Sequence, residues 1–319
     1  MGASLTSWQQ HTFDRAQTAF EAGHLGHGLL FCGPSGIGKR RVAEQLAEHV
    51  LCAGSTDKAE RERVRNFLAA GTHPDLHRIS FVPTKEGNKL RTEIVIEQIR
   101  DLTRRLALTP QYGQAQVAII DPADAINTAA CNALLKTLEE PVAGRYLWLL
   151  TARPARLPAT VRSRCQRLEF KLPSYEKALQ WLTGARGYDD AIAKEVLDAA
   201  HGHPGMADEW LNGSGWSLRR DVINDLIALA KPGADVIVVA QRWSGDEYAP
   251  ERLNYAADWV SSQAVMDDLT NPVRLRSLTD WFAAANRMRN LLRTTVRADL
   301  AMVELLSIWH KSELSKGET

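Results

Sequence analysis

Short unbroken apolar runs alternate with helical stripes through the first half of the chain. Leu29-Leu30-Phe31-Cys32, Val117-Ala118-Ile119-Ile120 and Tyr146-Leu147-Trp148-Leu149-Leu150 carry no charge, the pattern of parallel strands buried on both faces. Between them the period lengthens. Trp8, Phe13, Ala16 and Phe20 predict a helix over 7–23, and Val42, Leu46 and Val50 a second one after the first run. A third opens at Ile94-Val95-Ile96 and continues through Ile99, Leu102 and Leu106; a fourth runs from Ile126 to Leu138. His73 to Ile79 reads as a turn and a short strand, 157–165 as a short helix, and Gln166 to Phe170 alternates as a last strand. Residues 57–68 mix both charge signs at helical spacing, a solvated helix; 83–89 read as a loop. Strands separated by helices predict a parallel α/β sheet, with its ligands at the carboxyl ends of the strands.

From Pro173 the pattern changes. Short helices are expected over 174–182, 189–200 and 205–212, broken at Gly184 to Gly187 and at His201 to Gly205. Beyond Gly215 the chain reads as helical to its end. Val236-Ile237-Val238-Val239 fits either period and is assigned to a helix beginning near Asp235. Leu278, Trp281, Phe282, Ala285, Met288 and Leu292 form a sustained helical stripe. Seven of the nine tryptophans fall at or after Trp181, which points to a large helical core rather than an aromatic binding surface. His310 and Lys311 suit a helix C-terminus.

Composition narrows the classes. With 319 residues the chain has room for two or three domains. A net charge of +1 gives no global field toward nucleic acid or membrane, so any such contact is local. Cys32, Cys52, Cys131 and Cys165 show no pairing pattern, which fits a reducing cytoplasm. No apolar run approaches the ~20 residues of a membrane span. Residues 1–12 have neither the basic start nor the apolar core of a signal peptide.

The candidate chemistry lies in Gly33-Pro34-Ser35-Gly36-Ile37-Gly38-Lys39-Arg40, between the first strand and the second helix. Gly33, Gly36 and Gly38 let the backbone turn its N–H groups toward a phosphate, and Lys39 adds a cation. One position breaks the P-loop pattern. Arg40 stands where a Ser or Thr hydroxyl would hold Mg²⁺, and a guanidinium cannot ligate a cation. Asp121 ends the second apolar run, the place of a carboxylate that holds Mg²⁺ through water; Asp124 follows it. The next residue, where a Glu would orient the attacking water, is Pro122. Thr151 ends the third run and points a hydroxyl at the same edge. For His24 and His27, local packing is favoured over contact with a base. For Arg100, Arg104 and Arg105, a solvated helix face and a phosphate-tracking face both remain open.

Three stretches together carry a resemblance: Asn132-Ala133-Leu134-Leu135-Lys136-Thr137-Leu138-Glu139-Glu140-Pro141, Ser163-Arg164-Cys165, and Gly71-Thr72-His73-Pro74-Asp75-Leu76. They are similar to the clamp-loader branch of the AAA+ proteins. The resemblance implies an α/β ATPase-like domain over 1–172, a small helical lid over 173–212 and an all-α collar over 213–319 that holds a five-membered ring together. Implied partners are the other ring subunits (gamma/tau and delta), the sliding clamp, and primed DNA through its backbone. Arg164 would be an arginine finger reaching a neighbour's ATP, and Arg100 falls where motor subunits carry a DNA-facing arginine.

Departures from that pattern say which kind of subunit to expect. Arg40 and Pro122 remove the metal hydroxyl and the catalytic acid, so intrinsic ATP hydrolysis is expected to be absent or very weak. The arginine that follows a Gly-x-Pro turn in the family's lid is missing, since Gly202-His203-Pro204 is followed by Gly205-Met206. Of a four-cysteine zinc module in bacterial relatives only Cys52 remains, so no zinc is expected. The leading reading is a scaffold and finger subunit of a replicative polymerase complex, a nucleotidyltransferase assembly; ATP or ADP binding at the degenerate loop stays open, and no cofactor is required. The alternative is an active ATPase subunit of gamma/tau type, with Asp124 or a neighbour as the acid. An unrelated P-loop kinase or transferase does not explain Asn132 to Pro141.

Overall fold

The computed structural model describes residues 4–54, 57–83, 91–266, 272–292 and 297–314. They divide into two compact units, Met1–Asp208 and Glu209–Thr319.

The first unit is built on a five-stranded, all-parallel sheet. Its strands are β1 (Gly28–Cys32), β2 (Leu76–Ile79), β3 (Gln116–Ile120), β4 (Arg145–Thr151) and β5 (Gln166–Glu169), in the order β2-β3-β4-β1-β5. Successive side chains of a strand point to opposite faces, and β1 shows both being used. Leu29 and Phe31 pack with Val42, Leu46 and Trp148 on one side. Leu30 and Cys32 pack with Ile99, Leu102, Leu134 and Leu149 on the other. The helices that cover the sheet are α1 (Ser7–Glu21), α2 (Lys39–Ala53), α3 (Lys58–Ala69), α4 (Ile96–Leu106), α5 (Thr128–Glu139) and α6 (Ala159–Arg162). In α3 only Val64 is buried, so the mixed-charge stretch is a solvated helix, started by Asp57 accepting from the Ala59 N–H.

Element types follow the sequence pattern, while several boundaries move. The fourth helix begins at Thr128 rather than Ile126, because the Asn127 side chain accepts from the Ala130 N–H and caps it. Ile94 is outside α4 and makes an isolated bridge with Ile126; its buried side chain belongs to the sheet core. The loop expected over 83–89 lies, from residue 84 on, outside the described residues.

Three further helices complete this unit: α7 (Tyr175–Gln180), running into a wide turn at Trp181–Ala185, then α8 (Asp190–Ala199) and the start of α9 (Pro204–Asn212). Arg186 and Tyr188 both bond the Asp208 carboxylate and close this helical cluster.

The second unit is all α: α10 (Gly215–Leu229), α11 (Val236–Ser244), α12 (Ala249–Met266), α13 (Pro272–Leu291) and α14 (Ala298–Leu314). Asp235 caps α11 by accepting from Ile237 and Val238, which resolves the Val236–Val239 run as helix. Trp243, Trp281 and Trp309 are buried in its core, and each indole N–H has an acceptor: Asp225, the Leu305 carbonyl and the Leu226 carbonyl. Buried aromatic mass with a satisfied polar tip is how such residues anchor a core. On α13 the stripe narrows to Leu278, Trp281, Ala285 and Met288. Phe282, one residue round the helix from Trp281, is displaced to the edge and is 38% exposed. His310 places Nδ1 2.6 Å from the carbonyl of Leu229, the last residue of α10. Among the described residues no helix is long and apolar enough to cross a membrane.

The His73–Asp75 turn stores a pH dependence. The buried Asp75 carboxylate accepts from the N–H groups of Gln111 and Tyr112 and so ties the segment entering β3 to β2. His73 Nδ1 accepts from the Asp75 N–H at 3.2 Å, which leaves the ring proton on Nε2, buried without a hydrogen-bond partner. Burial lowers the His73 pKa below the ordinary histidine value, with Asp75 opposing. A lowered folded pKa means the contribution is present above the unfolded value, about 6.5, and is lost as pH falls through it. Unfolding free energy should therefore fall by up to about 1.4 kcal/mol per pH unit below pH ~6.5 on account of this residue. In His73→Asn the side-chain oxygen can still accept but does not titrate, so denaturant unfolding at pH 7.5 and 5.5 should show a flatter dependence. Equal slopes would contradict it.

Candidate functional site

The carboxyl edge of the sheet collects the residues singled out in the sequence. Gly33 follows β1, Asp121 follows β3, and Thr151 ends β4. Gly33, Gly36 and Gly38 all have positive φ (154°, 78° and 98°). The turn therefore needs glycine, most severely at Gly33, where a Cβ would lie 2.5 Å from the Phe170 carbonyl oxygen. Gly38 leads directly into α2 at Lys39, so the loop opens onto a helix N-terminus. The Lys39 side chain folds back over the loop, its ammonium donating to the Gly33 and Pro34 carbonyls at 2.7 Å each. Burial lowers its pKa, with Asp121 and Asp124 opposing.

Arg40 lies on Asp121. Its Nε donates to Asp121 Oδ2 at 2.6 Å, with the arginine side chain 61% exposed and the aspartate 22%. A pair this open contributes about 0–1 kcal/mol to stability. Its importance is chemical. The carboxylate that would hold a hydrated metal is bonded to a guanidinium, and the hydroxyl ligand beside Lys39 is absent, so the residues present do not fit Mg²⁺. Asp124 is also engaged: Thr151 Oγ1 donates to Oδ1 at 3.0 Å and Arg153 Nε to Oδ2 at 3.1 Å. Its side chain is 6% exposed, and the Arg153 N–H donates in turn to Thr151 Oγ1.

Two elements that the sequence did not connect with the loop pack onto it. Gln9 of α1 donates from Nε2 to the Ile37 carbonyl at 3.1 Å, and its Oε1 accepts from the Thr6 N–H. Trp8 donates to the same carbonyl and meets Trp181 edge to face at 5.7 Å. At the start of α9, Gly205 sits so close to the loop that a Cβ there would be 2.1 Å from the Gly36 carbonyl oxygen. The place after the Gly-x-Pro turn, where an arginine was missing, is thus a backbone-to-backbone contact. Periodicity put Trp8 on a buried face; nothing in one sequence pointed Gln9 or Arg153 at the loop.

Arg164 lies at the other end of the sheet. Its carbonyl adjoins Gly28, the first residue of β1, whereas the loop begins after the last. A five-residue strand separates them by about 16 Å. The guanidinium is held by Glu139 (Nη2 to Oε1, 2.6 Å) and the Thr160 carbonyl (Nη1, 2.9 Å), and is 36% exposed. Cys165 beside it is a core thiol whose pKa burial pushes up to about 12, so it stays protonated. All four cysteines are buried and free. His27 bonds the Leu138 carbonyl, the local packing expected of it. Arg100 is exposed on α4. Among the described residues no cluster of three or more His, Cys, Asp or Glu could hold a metal ion.

This is a P-loop α/β domain of the AAA+ kind joined to an all-α unit. In overall fold the chain is similar to a gamma-subunit-related protein of DNA polymerase III from Thermotoga maritima, with a TM-score of 0.51, 16% identity, and 95% of this chain and 99% of that one covered. The family model described as DNA polymerase III, delta subunit, matches residues 8–174. The chain is 34% identical to DNA polymerase III subunit delta-prime of Pseudomonas aeruginosa, over 81% of its length and 76% of the relative's. To the delta-prime subunit of Escherichia coli it is 31% identical, over 78% and 73%. A subunit tau of Bacillus subtilis is 32% identical over 51% of this chain and 28% of that protein. The chain belongs to the DNA polymerase III delta-prime family of clamp-loader proteins.

Gly205→Ala should strain the closed loop, because the atom its methyl meets is a backbone oxygen that cannot swing aside. A loss of roughly 1–3 kcal/mol is expected. Chemical denaturation with hydrogen exchange at the loop amides would check it; wild-type stability would show that α9 shifts freely.

Proposed function

We propose that this chain is a non-hydrolysing clamp-loader subunit that braces the ring and lends Arg164 to the ATP site of a neighbouring subunit. The observation that carries the reading is Arg40 on Asp121. With a guanidinium on the one carboxylate available to a metal, and Asp124 tied to Thr151 and Arg153, the edge offers neither a metal ligand set nor a free general base. Arg164, at the opposite end of β1 and partly exposed, is out of reach of its own loop and open to a partner. A planar, always-charged guanidinium supplied in trans stabilises charge spreading onto a γ-phosphate.

In this reading 173–212 act as the lid and 213–319 as the oligomerising collar. The partners are gamma/tau-type and delta subunits, the sliding clamp and primed DNA, the last through its backbone, with Arg100 as a contact. The family relation to delta-prime and tau subunits supports the ring partners. Replication places the work in the cytoplasm. The purified chain should show background ATPase, unchanged in Lys39→Ala. Turnover that Lys39→Ala abolishes would favour the gamma/tau-type alternative instead. Arg164→Ala should leave folding and assembly intact and lower DNA-stimulated turnover at the neighbour's site by about a thousandfold. Unchanged turnover of the reconstituted complex would remove Arg164 from this role.

The loop itself keeps its glycine geometry and Lys39, a cradle for the phosphates of ATP or ADP. Arg40 supplies there the positive charge a metal would bring, so binding should not need Mg²⁺. Calorimetry with ATP in Mg²⁺ and in a chelator should give the same affinity within about threefold, about 0.65 kcal/mol. A strict Mg²⁺ requirement, or no heat at all, would count against it. No zinc is required.

A further inference from the structure

Glu139 ends α5 and lies within the Asn132–Pro141 stretch. Its carboxylate is the charged partner of Arg164, at 2.6 Å. The Thr160 carbonyl takes a second N–H from the other terminal nitrogen. Two anchors on two different nitrogens fix both the position and the plane of the guanidinium. They use two of its five N–H donors and leave the others for an incoming anion. Both side chains are too exposed (36% and 47%) for the pair to be what holds the fold together. The fold is held beneath them by Leu134, Leu138, Val161 and Cys165, all buried.

We infer that Glu139 is a positioning residue for Arg164, orienting the guanidinium on this chain before a neighbour's phosphate meets it. The inference rests on the reading of Arg164 as a group acting in trans. Arginine is long and has many rotamers, and a free one must be ordered at the moment it is used. Anchoring it beforehand leaves less to lose, and misplacement of a reacting group by about an ångström can cost a hundredfold in rate. A carboxylate beside the guanidinium also keeps it from pairing with a wrong acid on the same face. Glu140, the next residue, is exposed in the same stretch.

The test uses the reconstituted, DNA-stimulated complex and four forms of this chain: Glu139→Ala, Glu139→Gln, Arg164→Ala and the double Ala variant. Glu139→Ala should lower kcat roughly tenfold with KM for ATP within about twofold. Glu139→Gln keeps an acceptor oxygen at the same reach and should recover most of that loss. The double variant should be no slower than Arg164→Ala alone, because a guide has no effect once its object is gone. Thermal melting and gel filtration confirm folding and assembly of each variant. Wild-type kcat in Glu139→Ala beside an impaired Arg164→Ala overturns the inference and leaves the Arg164 reading standing. Multiplicative losses in the double variant do the same. Wild-type kcat in Arg164→Ala overturns both.

Discussion

β1 is the constraint on which the first unit depends. It is the one strand that pairs with both β4 and β5, and its residues are buried on both faces of the sheet. A strand in that position has only its two ends for chemistry. The carboxyl end carries the glycine loop, together with Asp121 and Thr151 from neighbouring strands. The amino end lies against the segment that carries Arg164. Parallel packing therefore sets two charged sites at opposite ends of a rigid rod, one facing the chain's own loop and one facing outward. Mutations in the apolar rod, such as Phe31→Ala, would disturb both at once, since both ends hang on the same packing.

At the loop, electrostatics decide what geometry leaves open. The turn is a phosphate cradle in its backbone. Around it, however, each carboxylate has a cationic or hydroxyl partner: Asp121 has Arg40, and Asp124 has Thr151 and Arg153. Bringing a divalent cation here means breaking an arginine–carboxylate pair and placing the metal beside the displaced positive charge. Coulomb repulsion between unit charges at such distances is several kcal/mol at an effective dielectric of about 20, more than the open pair could return. Other contacts pack the loop in place. Gln9 and Trp8 hold the Ile37 carbonyl from one side and Gly205 meets Gly36 from the other, so the loop packs between α1 and the start of α9.

What could be read from the sequence follows from how local each cause is. The three apolar runs became β1, β3 and β4, because burial on both faces leaves an unbroken signature. Val236–Val239 was ambiguous in period, and its capping aspartate at 235 decided it, a signal three residues long. Helix starts drifted where the cap, Asn127 for instance, outweighed the apolar pattern. Phe282 looked like core by periodicity and lies at the edge, since six apolar positions are wider than the face α13 buries. The candidate loop residues were legible because their spacing is fixed by one turn of backbone. Gln9, Arg153 and Glu139 were not. Each acts across 25 or more residues of chain on a partner chosen by the tertiary fold: Gln9 on Ile37, Arg153 on Asp124, Glu139 on Arg164.

That difference bears on what kind of information the two sites hold. The loop's chemistry is written in substitutions at positions with known duties, so Arg40 and Pro122 speak even without a structure. The outward site has no such grammar. A lone arginine after a short helix is an ordinary surface residue until its setting is known: beside the amino end of β1, anchored by a carboxylate at the end of α5 and by a carbonyl of α6, and partly exposed. Those anchors are weak as sources of stability and strong as determinants of direction. Under the proposed trans role, direction is what the Arg164 site has to offer, because an arginine acting on another molecule gains from being oriented in advance and gains nothing from being buried.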